Sequence, residues 1–335
     1  MPKIRVKIIG NYRTHVWIRQ FPAAKPCWGD CEFLFDLQAK AYDWLVVYND
    51  FPGDYQEELL PREDVPSILV TTEPATIKSY GHAYTGQFRY VLTSQDPRSL
   101  PHPGRIFSQP ALQWFYGLGE KGYRGYDEMA TEPWMKSKNL STVCSTKRQK
   151  HTLHNQRYLF TQALKAKIPQ MDIYGHGVIE MDDKAEALDD YRYHLAIENF
   201  IGEHHWTEKL SDVFLGCALP FYCGCPNAAD YFPAESFIPL DINDVESAAE
   251  TILKAMRDQE YELRLPAILE ARRLVMEKYN IFAVLADIIA GSDHRPANRQ
   301  RGARVMSRRL LRKKRPLVAL ADCCEKARQR IRWAR

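Results

Sequence analysis

The feature that most constrains the fold is a series of short, β-rich segments separated by loops and helical patterns. Five such segments lie in the first half, at residues 3–10, 43–49, 67–73, 89–94 and 105–110. Several of them are apolar almost throughout, as strands covered on both faces tend to be. Strands that alternate with helices predict a parallel sheet wrapped by helices. The sequence therefore predicts an α/β fold.

The second half shows the strand–helix alternation more regularly. Strands are predicted at 141–145, 171–175, 193–199, 219–224 and 236–241, and helices at 154–166, 184–191, 207–217, 244–258 and within 259–290. Asn243 and Glu246 have the spacing of a capping box at the start of one helix. The polar, glycine-containing residues 117–150 predict a connection between domains. Two Rossmann-like domains facing each other across a cleft are therefore expected, at residues 1–135 and 136–292.

Charge is distributed unevenly along the 335 residues, although the net charge is only +4. Residues 294–335 contain 15 Lys and Arg against 2 acidic residues, whereas the remainder contains 31 basic and 40 acidic residues. After Pro316, one helical stripe carries small or apolar residues, namely Leu317, Leu320, Ala321, Cys324, Ala327 and Ile331. Residues 293–335 therefore predict a basic amphipathic tail. Contact with an anionic membrane is the favoured interpretation; nucleic-acid binding, a partner contact and a solvated helix are the alternatives.

Two absences in the sequence bear on location and on metals. No stretch approaches the roughly 18–20 apolar residues of a membrane span, and the N-terminal segment MPKIRVKIIG lacks the apolar run of a signal peptide. We therefore expect a cytoplasmic protein, with the tail as a peripheral contact on the inner face of the membrane. The eight cysteines lack the spacing of common zinc sites, so no metal is expected.

Residues 196–210, AIENFIGEHHWTEKL, pass from a predicted strand through polar residues into a helix. Thr207 suits the N-cap position, which places Glu208 and Lys209 in the first turn. A cation there is unfavourable by roughly 0.3–1 kcal/mol, but free backbone N–H groups at the same place bind anions. A lysine becomes useful once a phosphate is bound, so the stretch predicts a phosphate site. A solvated Glu-Lys pair is the alternative.

Residues 193–241 resemble the C-terminal signature of glycosyltransferase family 10, the α-1,3/4-fucosyltransferases. The elements of the signature are Glu198-Asn199, Thr207-Glu208-Lys209, Pro220, Tyr222, Gly224, Phe232 and Ser236-Phe237-Ile238, in order and at compatible spacing. Upstream, residues 141–164 resemble the family's strand and the helix after it, whose arginine falls on Arg157. The segment SILVTTEPATI resembles the strand that ends in the family's proposed base, which falls on Glu73.

This resemblance implies a GT-B-like glycosyltransferase that moves fucose from GDP-fucose to a hydroxyl of an oligosaccharide or lipid-linked glycan. It implies an inverting displacement that needs neither a metal nor another cofactor, and the sequence has no D-x-D motif. Glu73 is the implied base, and Glu208 is implied near the sugar or ribose, where its charge favours a cationic transition state. The implied donor-binding residues are Arg157, Asn199, His205, Lys209 and Tyr222.

Two departures from the family pattern keep other functions open. Phe200 stands where the family has serine, and His205 stands where it has tyrosine. Both leave room for a transferase of the same fold that uses another nucleotide sugar. A catalytically silent protein that binds a membrane or nucleic acid is the alternative from a different class.

Overall fold

A computed structural model describes residues 3–110, 112–131, 135–146, 153–175, 177–292 and 304–333. Residues 132–134 and 147–150 of the predicted connector, and 293–303 and 334–335 of the predicted tail, lie outside the described residues. The chain forms two compact units, one of Met1–Pro110 with Ile281–Arg335 and one of Ala111–Asn280.

The strands are β1 Ile4–Gly10, β2 Cys27–Trp28, β3 Cys31–Leu34, β4 Trp44–Tyr48, β5 Glu57–Leu59, β6 Ser67–Val70, β7 Tyr90–Thr93, β8 Arg105–Phe107, β9 Lys138–Val143, β10 Asp172–Tyr174, β11 Tyr191–Ile197, β12 Leu219–Cys223, β13 Ile238–Pro239 and β14 Arg304–Met306. The helices are α1 Thr14–Ile18, α2 His82–Thr85, α3 Tyr126–Thr131, α4 His154–Lys167, α5 Glu208–Leu215, α6 Val245–Arg257, α7 Glu260–Glu277, α8 Ile281–Gly291, α9 Arg308–Lys314 and α10 Pro316–Trp333.

The first unit is built on a seven-stranded sheet in the order β2-β3-β1-β4-β6-β7-β8. Its neighbours pair in parallel, except that the short β2 is antiparallel to β3. Every residue of β4 and β6 is buried, which explains why these segments are apolar almost throughout. Because the strands are parallel, the segments that follow β1, β4, β6 and β7 lie along one edge of the sheet.

The second unit contains a five-stranded parallel sheet in the order β10-β9-β11-β12-β13. The central strand β11 is buried along nearly its whole length. Helix α5 packs on β11, β12 and α7, with Leu210, Val213 and Phe214 in the core. The predicted α/β class with two Rossmann-like units is confirmed.

The structure divides the chain at positions other than the predicted 135/136 and 292/293. The first boundary falls after Pro110, because residues that follow it are buried in the core of the second unit: Trp114, Tyr116 and, from the predicted connector, Met129. The second boundary falls after Asn280, so helix α8 belongs to the first unit. There the ring of Phe282 stacks on that of Phe21, with 3.9 Å between centroids.

The predicted tail is an integral part of the first unit where it is described. Strand β14 pairs with β5 in an antiparallel two-stranded sheet, and Val305 and Leu311 are buried in the unit's core. Strand β5 is itself fixed by Glu58, whose fully buried carboxylate lies 2.9 Å from Lys7 Nζ of β1. The sequence pattern predicted helix α10. It did not indicate that β14 and α9, which precede this helix, pack with the first 110 residues in one unit.

The start of helix α6 differs from the prediction by one residue. Helix α6 is capped by the Asp244 side chain, which accepts from Ser247 N at 3.0 Å, rather than by the predicted Asn243.

Within the described ranges, none of the helices combines the length and the apolar character that crossing a membrane requires.

Substitutions in α9 and α10 test the place of the tail in the core. We expect Leu311→Ala to lower the free energy of unfolding by about 2–5 kcal/mol, because it removes buried methyl groups and leaves a cavity. Leu317→Ala, on the next helix and 81% exposed, should change it by no more than about 0.5 kcal/mol. Urea unfolding of the full chain measures both, and equal effects of the two substitutions would contradict this packing.

Candidate active site

The site forms where strand β11 ends and helix α5 begins. Glu198, the residue after β11, is fully buried. One of its carboxylate oxygens accepts from Thr207 N at 2.8 Å and the other from Thr207 Oγ1 at 2.7 Å. Thr207 is the N-cap of α5, and its hydroxyl oxygen accepts from Lys209 N at 3.3 Å. Glu198 therefore fixes the start of the helix from the end of the neighbouring strand.

The Lys209 ammonium lies between two carboxylates at this helix start. Its Nζ is 2.9 Å from Glu208 Oε1 and 3.7 Å from Glu198 Oε2. Burial alone would lower the pKa of Lys209, but the charges of Glu208 and Glu198 outweigh burial and raise it. Burial would raise the pKa of Glu208, but Lys209 and Lys184 outweigh it and hold that pKa well below its usual range. Both side chains are therefore charged at neutral pH.

A cavity of about 140 Å³ opens beside this pair within the second unit. Its charged lining consists of Arg157, Lys184, Glu208, Lys209 and Asp212. Lys184 Nζ lies 2.8 Å from Asp212 Oδ2 and 4.0 Å from Glu208 Oε1. Burial raises the pKa of Asp212, and Lys184 offsets this only in part. The cavity is thus lined by three cationic and two acidic side chains. This excess of positive charge suits an anionic ligand.

Arg157 comes to this cavity from helix α4. Its side chain is largely buried, and Nη1 donates to the carbonyl oxygen of Ile197 at 3.2 Å, at the carboxyl end of β11. Its Nε is also buried and has no hydrogen-bond partner among the residues that the structure describes. An orphaned, buried guanidinium N–H is costly unless a ligand uses it. A phosphate oxygen is the acceptor that such a group fits best.

Three predicted donor-binding residues lie outside the cavity lining. Burial lowers the pKa of His205 to about 3, so its ring is neutral, and it packs edge-on against Phe200. The Asn199 Oδ1 is buried, and no described residue donates to it. The Tyr222 hydroxyl accepts from Cys225 N at 2.9 Å in the core. Binding of the donor by these three residues stays a prediction.

The glycine of the signature is required by close packing around the same carboxylate. A Cβ on Gly224 would overlap the side chain of Glu198 and the hydroxyl of Tyr222. Tyr222 and Gly224 therefore shape the wall behind Glu198, which accounts for their place in the signature on structural grounds.

Glu73 lies in the first unit, three residues after β6. Its backbone carbonyl oxygen accepts from Gln95 Nε2 at 2.7 Å, and Gln95 Nε2 also donates to the Lys78 carbonyl oxygen at 3.0 Å. Strand β6 pairs in parallel with β4 and β7, so Glu73 stands at the edge where their carboxyl ends meet. Such an edge is where open α/β sheets bind ligands.

Sequence reasoning missed two residues of the site, Glu198 and Lys184. The sequence identifies Glu198 only as an element of the family signature, although its position directly after a buried strand is a signal for a buried carboxylate. Lys184 belongs to the one-turn helical segment Lys184–Ala187, which the Asp183 side chain caps. Nothing in its local pattern indicated that this segment faces the start of α5.

A comparison with known protein families finds a match within the second unit. Residues 134–264 match the family model described as "Glycosyltransferase family 10 (fucosyltransferase) C-term". The resemblance stated from the sequence is confirmed over this region.

One curated relative and several solved structures are also similar. The α-(1,3)-fucosyltransferase FucT of Helicobacter pylori is 33% identical over 70 residues, which are 21% of this chain and 14% of that protein. A crystal structure of an α1,3-fucosyltransferase with GDP-fucose is 14% identical, with 82% of this chain and 91% of that chain covered and a TM-score of 0.47. A structure of TarM is 9% identical, with 74% and 54% covered and a TM-score of 0.46.

Two buried histidines near the site make stability depend on pH. Burial, reinforced by Lys184 for His194 and by Lys209 for His205, lowers the pKa of each to about 3. An unfolded histidine titrates near about 6.5, so the unfolded chain binds more protons between these values. The free energy of unfolding is therefore highest above about pH 7, and it falls as the pH drops from about 7 toward about 3.

We therefore expect the free energy of unfolding to fall by about 1 kcal/mol for each of these histidines between pH 7.5 and 5.5. Guanidinium unfolding at the two pH values measures this difference. His205→Gln should reduce the pH dependence, whereas His15→Gln, at an exposed position, should leave it unchanged. A His205→Gln protein with the full pH dependence would show that His205 is protonated in the folded state.

Proposed function

We propose that the chain transfers fucose from GDP-fucose to a hydroxyl group of a glycan, with inversion and without a metal ion. The observation that carries the proposal is the pair formed by Lys209 and Arg157 in one cavity, within the region that matches the fucosyltransferase family. The donor's diphosphate is the anion that this pair would bind. The glycan is an oligosaccharide or a lipid-linked saccharide.

The first step of the argument concerns charge on the departing GDP. As the bond between the sugar and the β-phosphate breaks, negative charge gathers on the phosphate oxygens. Fixed cations and N–H groups stabilise that charge when no metal does. Lys209 supplies a point charge at the start of α5, and Arg157 supplies the buried Nε–H that has no described partner. Lys209 is already held in place by Glu198 and Glu208, so little reorganisation is needed.

The second step concerns the proton of the acceptor. The hydroxyl oxygen attacks the anomeric carbon of fucose while the bond from that carbon to the phosphate oxygen breaks and its electron pair leaves with GDP. The hydroxyl proton passes to the carboxylate of Glu73, our assignment for the base. A single displacement of this kind inverts the anomeric configuration. The Glu208 carboxylate, whose pKa is held low, would favour positive charge on the sugar.

Variants of the charged residues test this mechanism. We expect the purified chain to transfer fucose from GDP-fucose in the presence of EDTA, with the product's anomeric configuration opposite to the donor's. Lys209→Ala should weaken GDP binding by about tenfold or more in titration calorimetry, because it removes a charge-assisted hydrogen bond. Glu73→Gln should bind GDP normally and lose turnover by about 10²–10⁴-fold.

A matched lysine variant controls for general loss of charge. Lys254→Ala, at an exposed position on α6, should leave both GDP binding and turnover unchanged. Tight binding of a UDP-sugar in place of GDP-fucose would favour the same-fold transferase for another donor, to which Phe200 and His205 point. An absence of heat with GDP, GDP-fucose and UDP-sugars would favour the catalytically silent alternative.

We propose further that the enzyme is cytoplasmic and contacts the inner face of an anionic membrane through α10. This helix turns polar side chains toward the first unit: Asp322 and Gln329 are buried and hydrogen-bonded. Apolar side chains point to solvent instead, with Leu317, Leu320 and Ile331 exposed by 81%, 64% and 76%. Exposed basic residues flank this outer stripe, namely Lys313, Lys314, Arg315, Lys326 and Arg328. Apolar residues bordered by cations suit an anionic lipid surface.

Vesicle binding tests this contact. We expect the full chain to sediment with phosphatidylglycerol vesicles, less so as salt is raised, and not with phosphatidylcholine vesicles. Leu317→Ser, Leu320→Ser and Ile331→Ser combined should abolish sedimentation and leave turnover on a soluble acceptor unchanged. Leu263→Ser, which alters a leucine of similar exposure on α7, is the matched control. Undiminished sedimentation of the triple variant would refute the proposed surface.

A further inference from the structure

The segment that carries Glu73 is in contact with the C-terminal helices α9 and α10. Residues 71–84 run from the end of β6 into α2, and Glu73 stands near the start of this segment. Ser79 Oγ donates to Glu325 Oε1 at 2.6 Å, and Arg308 Nη2 donates to the Ser79 carbonyl oxygen at 2.6 Å. These contacts join residues separated by more than 220 positions in the chain.

The neighbouring residues of the segment meet the same helices. Gly81 has a φ of +79°, and a Cβ there would overlap the carboxylate of Asp322. Asp322 is in turn fixed by Arg312, whose Nε lies 2.6 Å from Asp322 Oδ2. His82 Nε2 lies 3.6 Å from Glu325 Oε2. Residues 79–82 therefore lie directly against the polar inner faces of α9 and α10.

One buried side chain connects this contact to the backbone beside Glu73. Tyr80 is 1% exposed, and its hydroxyl accepts from Thr72 N at 2.9 Å and donates to Asn49 Oδ1 at 2.9 Å. Thr72 immediately precedes Glu73. A displacement of residues 79–82 would move the Tyr80 hydroxyl, and with it the backbone that aims the Glu73 carboxylate.

We infer that Glu325 and Arg308 are positioning residues for Glu73, and that the C-terminal helices hold the acceptor-side base through Ser79, Tyr80 and Thr72. The inference rests on the proposed function for the role of Glu73, but the mechanical connection stands on the hydrogen bonds alone. A base must be held close to its productive geometry, and a misplacement of about 1 Å can cost about 10²-fold in rate. This role also explains why the face of α10 that packs on the first unit is polar, whereas an amphipathic helix usually packs through its apolar face.

Hydrogen exchange of the full chain tests the connection without relying on turnover. We expect Glu325→Ala to speed exchange of the Thr72 and Tyr80 amides by about tenfold or more, because the segment loses its outer contact. Glu325→Gln keeps a carbonyl oxygen that accepts from Ser79 and should restore slow exchange. Lys326→Ala, at the next and exposed position of α10, is the matched control. Unchanged exchange in Glu325→Ala would overturn the inference.

Turnover then separates positioning from a general loss of structure. Glu325→Ala should lower kcat about tenfold with the KM for GDP-fucose and the affinity for GDP unchanged. Ser79→Ala should have a similar effect, and the double variant should be no worse than either single one, since both remove one connection. Faster exchange with an unchanged kcat would overturn the role of the connection in catalysis. A parent protein that moves no fucose would instead count against the proposed function.

Discussion

Glu198 directly follows the central strand of the second unit, and its fully buried carboxylate holds both the start of α5 and the Lys209 ammonium. Its two oxygens accept from the N–H and the hydroxyl of Thr207, which fixes the first residue of α5. It also provides the second negative charge beside Lys209. Burial raises the pKa of Glu198, and Lys209 lowers it only in part. Loss of this carboxylate would leave the ammonium and the helix start without their common partner, at a cost of several kcal/mol.

The sequence predicted those parts of the site that follow from local rules. Thr207 at the N-cap and Lys209 in the first turn are where the local pattern placed them, and Arg157, which the family resemblance identified, lies on the helix predicted at 154–166. The strands β1, β4, β6, β7, β11 and β12 were also predicted to within a few residues. Runs of apolar residues bounded by turns specify such strands, because burial on both faces leaves little room for another assignment.

Features that depend on contacts between distant segments could not be found in this way. Ser79 and Glu325 are hydrogen-bonded although 246 positions separate them in the chain. A local sequence pattern cannot predict such a contact. The tail was predicted as a separate basic amphipathic segment that contacts a membrane, because the sequence pattern carries no information on what its polar face packs against. In the structure the polar residues Asp322 and Gln329 face the first unit instead. Lys184 was missed for the same reason, since only tertiary structure brings it to Glu208.

The central claim is that a diphosphate binds at the amino end of α5, between two cations of the second unit. The most direct measurement is a crystal structure of the chain with GDP. We expect the β-phosphate within hydrogen-bond distance of Lys209 Nζ and of the Arg157 guanidinium. A GDP molecule bound elsewhere, with Lys209 still paired to Glu208 beside an open cavity, would contradict the claim.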